Sequence, residues 1–148
     1  PIMLVVLVLF SAGCIEGTGN EALEVANDEV VNETVETEPY IEVIHFHGNS
    51  QCYSCITVGE YAEETVNTYF SDELESGKLV FRHLNFQSTE NSELAWRYGA
   101  AYSSLWIGSY TKEGFSAEQD TNVWYKIDDR TEYMNYLRTV INEKLTGL

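Results

Sequence analysis

Two cysteines separated by two residues, Cys52 and Cys55, are the side chains of this sequence best suited to chemistry. Their spacing places both sulfur atoms on one face of a helix, close enough to form a disulfide. At a helix N-terminus, unpaired N–H groups and the helix dipole lower the pKa of a thiol, and the thiolate is the nucleophile. We therefore predict that Cys52, the more exposed cysteine, attacks a partner disulfide and that Cys55 resolves the mixed disulfide.

Two other uses of the same cysteine pair are open at this point. An oxidising compartment favours a purely structural disulfide. A metal site is the other alternative, because His45 and His47 alternate along a predicted strand and so share one of its faces. Two thiolates with one or two imidazoles suit Zn²⁺ or copper. The alternative function is therefore a metal-binding module that uses Cys52, Cys55 and His47.

Alternating strands and helices position the cysteine pair. The pattern predicts the order β-α-β-α-β-β-α, in which the cysteines follow the first strand and open the first helix. Such an order predicts an α/β domain with a central mixed sheet of about four strands and helices on both faces. The predicted elements are strands at 41–47, 79–86, 105–108 and 122–127, and helices from 52 to about 71, at 90–98 before Gly99, and after a cap at Asp128 or Asp129.

Three stretches of the sequence resemble the thioredoxin-like superfamily. Residues 46–48, Phe-His-Gly, lead into the cysteine pair, and residues 78–86 are followed by 94–99, which end in Tyr-Gly. The resemblance is closest to small exported proteins named as the nitrophenyl-compound nitroreductase subunit, ArsF family. It covers residues 42–144 and implies a thioredoxin-like fold and a thiol–disulfide oxidoreductase that uses Cys52 and Cys55.

Nitro reduction by the chain alone is not expected. A flavin or NAD enzyme needs a phosphate-binding loop, and the sequence has neither G-x-G-x-x-G nor a P-loop. The resemblance to a redox-active dithiol requires no cofactor, so none is expected.

Phe46 marks one departure from thioredoxin. It stands six residues before Cys52, where thioredoxin carries a buried Asp that assists proton transfer. We therefore expect that this route is absent or that a histidine serves it.

Ser103 and Ser104 mark a second departure. Thioredoxins have a cis-proline opposite the active-site disulfide, whereas this chain has no proline after Pro39. One of the two serines stands at that position, in the loop that would contact a substrate. A cis bond without proline costs about 2.5–4 kcal/mol, so we expect a trans bond and a differently shaped loop.

Composition predicts one folded domain preceded by an acidic segment. The chain has 148 residues, of which 44% are hydrophobic and 13% aromatic, enough for a core. Acidic residues outnumber basic ones 24 to 8, and the net charge of −16 argues against binding to nucleic acid. Residues 15–39 contain eight acidic residues and no Lys or Arg. We therefore predict a flexible linker at 15–39 and the folded domain at 40–148.

The first residues predict export and attachment to a membrane. Residues 2–10 form an apolar run of nine residues, shorter than the roughly 20 that span a bilayer. Small residues at 11–13 then precede Cys14, and this end resembles a lipoprotein box, in which the cysteine receives lipid. We predict that residues 1–14 are an export signal and that Cys14 is the site of lipid attachment, with simple cleavage as the alternative.

These predictions together describe an extracytoplasmic, membrane-anchored monomer. Its expected partners are exported proteins with thiols or disulfides and a redox partner that resets the cysteine pair. The membrane contact is expected through the lipid at the N-terminus.

Overall fold

The computed structural model describes residues 38–148. The predicted export signal at 1–14, with Cys14, and the predicted linker up to residue 37 lie outside the described residues. None of the helices in residues 38–148 combines the length and the apolar character that a bilayer crossing requires.

Strands and helices alternate along the described part of the chain. The N-terminal half contains β1 (Tyr40–His47), α1 (Tyr53–Tyr69), the short α2 (Ser71–Glu75) and β2 (Leu79–Asn85). The C-terminal half contains α3 (Ser92–Tyr98), β3 (Ser104–Thr111), β4 (Gly114–Asp120) and α4 (Arg130–Thr146), with single 3-10 turns at Thr89–Asn91 and Asn122–Tyr125.

The four strands form one mixed sheet in the order β2-β1-β3-β4. β1 pairs with β2 in parallel and with β3 antiparallel, and β3 pairs with β4 antiparallel. β1 is central, which explains why its residues 41–46 are all buried. The C-terminal end of β1 leads directly toward the cysteine pair.

Helices cover both faces of this sheet. Side chains of β1 alternate between the faces, so Ile41 and Val43 pack with α1 and α4 in the larger apolar cluster. Ile44 and Phe46 point the other way and pack with α3 in a smaller cluster. The predicted α/β architecture with a four-stranded mixed sheet is confirmed.

Helix ends follow local sequence signals. Asp129 is the N-cap of α4, and its side chain accepts a hydrogen bond from a backbone N–H of the first turn, as predicted for one of the two aspartates. Gly99 ends α3 with a φ of 73°, a left-handed conformation that glycine adopts without strain. α1 ends at Tyr69, slightly before the predicted end near Ser71.

The predicted strand at residues 122–127 is wrong. Asn122–Tyr125 form a 3-10 turn that buries Val123 in the larger cluster. The last strand is β4, in the stretch that the sequence predicts as a polar loop. β4 pairs with β3 on one side only and most of its residues are exposed, so it lacks the apolar alternation by which strands are predicted.

Candidate functional site

The cysteine pair lies where β1 leads into α1. Cys52 is the N-cap of α1, and its Sγ accepts a hydrogen bond from the Cys55 backbone N–H at 3.3 Å. Both thiols are free, with Cys52 exposed and Cys55 partly buried. Cys52 Sγ is thus the sulfur that a partner can reach, and Cys55 lies one turn further into the helix.

The helix N-terminus favours a thiolate at Cys52. Hydrogen bonds from the Cys55 side chain and then from the Cys55 backbone lower the pKa of the Cys52 thiol, and the backbone of Ser54 contributes in the same direction. The first turn of α1 contains no acidic residue that would oppose the negative charge. Because the thiolate is the reactive form, this environment suits Cys52 to nucleophilic attack.

A chain of three side chains runs beneath α1 from the protein interior to the surface. His45 on β1 is only 1% exposed, and its Nδ1 lies 3.0 Å from Nδ1 of His83. His83 lies beside it on β2 because the two parallel strands pair in register. The other ring nitrogen of His83 lies 3.2 Å from a carboxylate oxygen of Glu63 on α1. Among the described residues, Nε2 of His45 has no hydrogen-bond partner.

Burial keeps the His45 ring neutral near neutral pH. Desolvation is the main reason that the pKa of His45 falls to about 4, and the neighbouring rings of His83 and His47 lower it further. The backbone of Cys55 acts in the opposite direction, since it favours the protonated ring. His45 therefore lies against the first turn of the helix that carries the cysteines.

Gly59 allows α1 to approach the two histidines closely. A Cβ at this position would overlap Nδ1 of His45, lie 2.7 Å from its Cε1 and lie 2.9 Å from Cε1 of His83. These ring atoms belong to buried or hydrogen-bonded side chains, so they cannot easily move aside.

We expect Gly59→Ala to lower the free energy of unfolding by about 1–3 kcal/mol, as for an overpacked core. The sign is informative, because alanine inside a helix ordinarily stabilises relative to glycine by about 0.5–1 kcal/mol. Urea unfolding at neutral pH measures the change. Gly147→Ala is the matched control, since its Cβ would make only ordinary contacts at 3.5 Å or more. Stabilisation by Gly59→Ala would contradict the close packing.

His47 and the two cysteines are not gathered into a ligand group in the described part of the chain. Nδ1 of His47 lies 3.0 Å from the carbonyl oxygen of Gly48, which accepts its proton. Within residues 38–148, no three His, Cys, Asp or Glu side chains come together in a group that could hold a metal ion. His47 is accordingly a hydrogen-bonded strand residue in this arrangement.

Only one of the two predicted loop serines is accessible. Ser104 begins β3 and is buried, and its hydroxyl donates to the Tyr102 carbonyl and accepts from Nε1 of Trp106. Ser103 lines a shallow cleft of about 430 Å³ together with residues 48–50, the loop that leads to Cys52. The described residues contain no cis peptide bond, which agrees with the expected trans loop. Neither cysteine is among the residues that line this cleft.

Amide side chains fix the loop before Cys52 against the end of β2. Asn85 donates a hydrogen bond to the side chain of Asn49 at 2.7 Å, and the Asn49 backbone N–H donates to Gln87 at 2.7 Å. The backbone N–H of Gln87 donates in turn to Asn85 at 2.9 Å. This closed set of bonds holds the approach to α1 in a defined position.

His83 and Glu63 are not among the site residues predicted from the sequence. The strand pattern contains a signal for His83, since aligning the starts of the two parallel strands places it beside His45. Glu63 gives no such signal, because an acidic residue on a helix is ordinarily solvated. Its contact with His83 depends on the position of α1 above the sheet.

Scans against protein-family models, curated proteins and solved structures find no match to this chain. Its function must therefore be inferred from the arrangement of its own residues.

Proposed function

We propose that the domain is a thioredoxin-like thiol–disulfide oxidoreductase, with Cys52 as the nucleophile and Cys55 as the resolving cysteine. The observation that carries the proposal is the exposed Cys52 thiol at the N-cap of α1, whose pKa the Cys55 side chain and backbone lower. The four-stranded mixed sheet with helices on both faces is compatible with a thioredoxin-like fold.

The reaction consists of two exchanges. The Cys52 thiolate attacks a disulfide of the partner, so a Cys52–partner disulfide forms and one partner thiolate leaves. Cys55 then attacks Sγ of Cys52, which forms the Cys52–Cys55 disulfide and releases the second partner thiolate. Two electrons pass from the dithiol to the partner disulfide, and a dithiol redox partner supplies them again in the reverse sequence.

The proposal includes the cellular location and the partners. The substrates are exported proteins that carry thiols or disulfides, and they dock across the cleft lined by Ser103. An export signal at 1–14 and lipid on Cys14 would hold the domain at the outer side of the membrane, with residues 15–39 as the acidic tether.

Cys55→Ser is expected to accumulate a mixed disulfide through Cys52. The serine removes the resolving thiol while the exposed nucleophile remains, so the covalent complex with a partner cannot be released by the chain itself. Reduced chain that also carries Cys14→Ser, so that the third cysteine of the sequence cannot react, is mixed with a disulfide-containing peptide, and the adduct is detected by mass and by its loss on addition of dithiothreitol.

Cys52→Ser is the matched control for the trapping experiment. It retains the partly buried Cys55 and is expected to form at most a small fraction of the adduct. Equal trapping by the two variants, or no adduct with Cys55→Ser, would overturn the proposed roles.

A further inference from the structure

A cavity of about 220 Å³ lies between β4 and α4. Two aliphatic side chains, Ile107 and Val140, form part of its wall, and the other lining residues are polar or charged. A water molecule takes up about 30 Å³ in the liquid, so the cavity has room for a ligand of several heavy atoms. Neither cysteine lines this β4–α4 cavity, and an assignment for it goes beyond the proposed function.

Asp120 brings a buried carboxylate with an unmet oxygen to the cavity wall. The residue is 7% exposed, and its Oδ1 accepts hydrogen bonds from the backbone N–H of Asn122 at 2.9 Å and from the hydroxyl of Tyr136 at 3.0 Å. Both donors line the same cavity, so the carboxylate lies among its walls. Oδ2 has no hydrogen-bond partner among residues 38–148. An unmet acceptor in the interior costs free energy, so Oδ2 calls for a donor.

The negative charges of the cavity are not balanced. Its lining contains one cation, Lys144, and three carboxylates, those of Glu118, Asp120 and Glu143. Nζ of Lys144 lies 2.8 Å from Glu118, so the charges of these two residues offset each other. Asp120 and Glu143 make no ion pair within the described part of the chain. Burial raises the pKa of Asp120, as expected for a carboxylate that lacks a compensating positive charge.

The other polar side chains beside Tyr136 are already engaged. Nζ of Lys126 lies 5.0 Å from the centroid of the Tyr136 ring and 2.6 Å from a carboxylate oxygen of Glu132. The side-chain amide of Asn122 donates to the hydroxyl of Tyr136 at 3.1 Å. These groups have partners of their own, and the donor that Oδ2 of Asp120 lacks is left to a bound group.

We propose that the β4–α4 cavity binds a primary alkylammonium group. Its N–H groups donate to Oδ2 of Asp120, and its positive charge offsets the carboxylates of Asp120 and Glu143. Its methylene chain packs against Ile107 and Val140. An ammonium group supplies hydrogen-bond donors and a positive charge together, and aliphatic walls favour methylene groups over water. A free aliphatic diamine and the lysine side chain of a protein partner share this chemistry.

Titration of butylammonium into the isotope-labelled full chain, followed by NMR at physiological ionic strength, tests the site. A ligand of five heavy atoms is expected to bind with a Kd of about 5 mM. The amide shifts should concentrate at residues 118–123 and 136–144. Butyltrimethylammonium carries the same charge and butyl chain but has no N–H donor, so it is expected to bind at least about tenfold more weakly.

Asp120→Asn removes the buried charge that the ammonium group meets. Binding of butylammonium is expected to weaken at least about tenfold, the lower end of the range for a hydrogen bond to a charged group. Glu113→Gln is the matched control and should leave the Kd unchanged, since this exposed carboxylate lies in the turn before β4 and does not line the cavity. Glu143→Gln, at an exposed lining residue, is expected to weaken binding about threefold. It decides the question if Asp120→Asn does not fold.

Two further ligands distinguish the sources of the ammonium group. Tighter binding of diaminobutane than of Nα-acetyl-lysine amide would support a free diamine as the occupant. Equal or tighter binding of the lysine derivative would support the side chain of a protein partner.

Three results would overturn the proposal. Equal binding of butyltrimethylammonium would mean a diffuse attraction of cations to the acidic chain. The same shifts with calcium chloride at lower concentration would mean a metal site. Unchanged binding in folded Asp120→Asn and Glu143→Gln chains would place the ligand elsewhere. None of these results affects the trapping experiment with Cys55→Ser, so the proposed function is tested separately.

Discussion

Lowering the pH from 7 to 5 is expected to reduce the free energy of unfolding by about 2 kcal/mol through His45 alone. The pKa of His45 is about 4 in the folded domain, against 6.5 for an ordinary histidine. Between these values the unfolded chain binds a proton that the folded domain excludes. Stability from this residue is therefore complete above pH 6.5 and is lost as the pH falls toward 4.

Asp120 contributes with the opposite sign. Burial raises the pKa of its carboxyl group in the folded domain, so the folded state retains a proton that the unfolded state releases. Its contribution to stability consequently falls as the pH rises through the carboxyl range. A comparison between wild type and a His45 variant cancels this term, because Asp120 is common to both.

Urea unfolding of the wild type and His45→Gln at pH 5 and pH 7 measures the His45 contribution. The difference in stability between the two chains is expected to shrink by about 2 kcal/mol on acidification, since glutamine does not titrate. His47→Gln is the control and should keep most of the wild-type pH dependence. An NMR titration of the wild-type ring gives an independent test, and a midpoint near 6.5 would contradict the buried neutral histidine.

The strength of a sequence signal decided which elements could be predicted. β1 and α1 have long apolar patterns with local end signals. Gly99 ends α3 through its backbone conformation, and Asp129 begins α4 through its side chain. β4 is an exposed edge strand whose place depends on pairing with β3. The apolar residues at 122–127 lie in a turn rather than a strand, and Val123 is the only residue of this stretch that is fully buried.

The candidate site was predictable where it depends on neighbours along the chain. Local helix geometry places Cys52 and Cys55 next to each other, so their spacing is sufficient to predict this arrangement. His45 and His83 are 38 residues apart, so their contact requires the strand register as well as the strands. The contact of Glu63 with His83 depends in addition on the orientation of α1 over the sheet. The helical pattern predicts only which face of α1 is buried.

A buried carboxylate, Glu42, lies on the face of the sheet opposite to His45. The side chain of Glu42 is 3% exposed, and its Oε1 lies 2.9 Å from Nε of Arg82. Its Oε2 accepts hydrogen bonds from the hydroxyl groups of Tyr98 and Tyr110, at 2.9 and 3.1 Å. Arg82 is the one cation in this set of contacts, so it balances the buried carboxylate.

Arg82→Met is expected to lower the free energy of unfolding by about 3 kcal/mol, the lower end of the range for breaking a buried pair. The lower end applies because Arg82 itself is half exposed, and water can partly replace it. The double variant Glu42→Gln/Arg82→Met should lose less stability than Arg82→Met, since a glutamine at position 42 leaves no unpaired charge in the interior. Urea unfolding of the wild type, both single variants and the double variant gives the coupling energy.

Lys144→Met separates the effect of burial from that of distance. Nζ of Lys144 lies 2.8 Å from Glu118, as close as the pair of Arg82 and Glu42, but the Glu118 side chain is 73% exposed. Solvent screens this pair, so the expected loss is below about 1 kcal/mol and disappears at high salt. The Arg82→Met loss should persist at high salt. Equal losses for the two variants would mean that Glu42 is hydrated in the folded domain, because the N···O distances are nearly the same whereas Glu42 is buried and Glu118 is exposed.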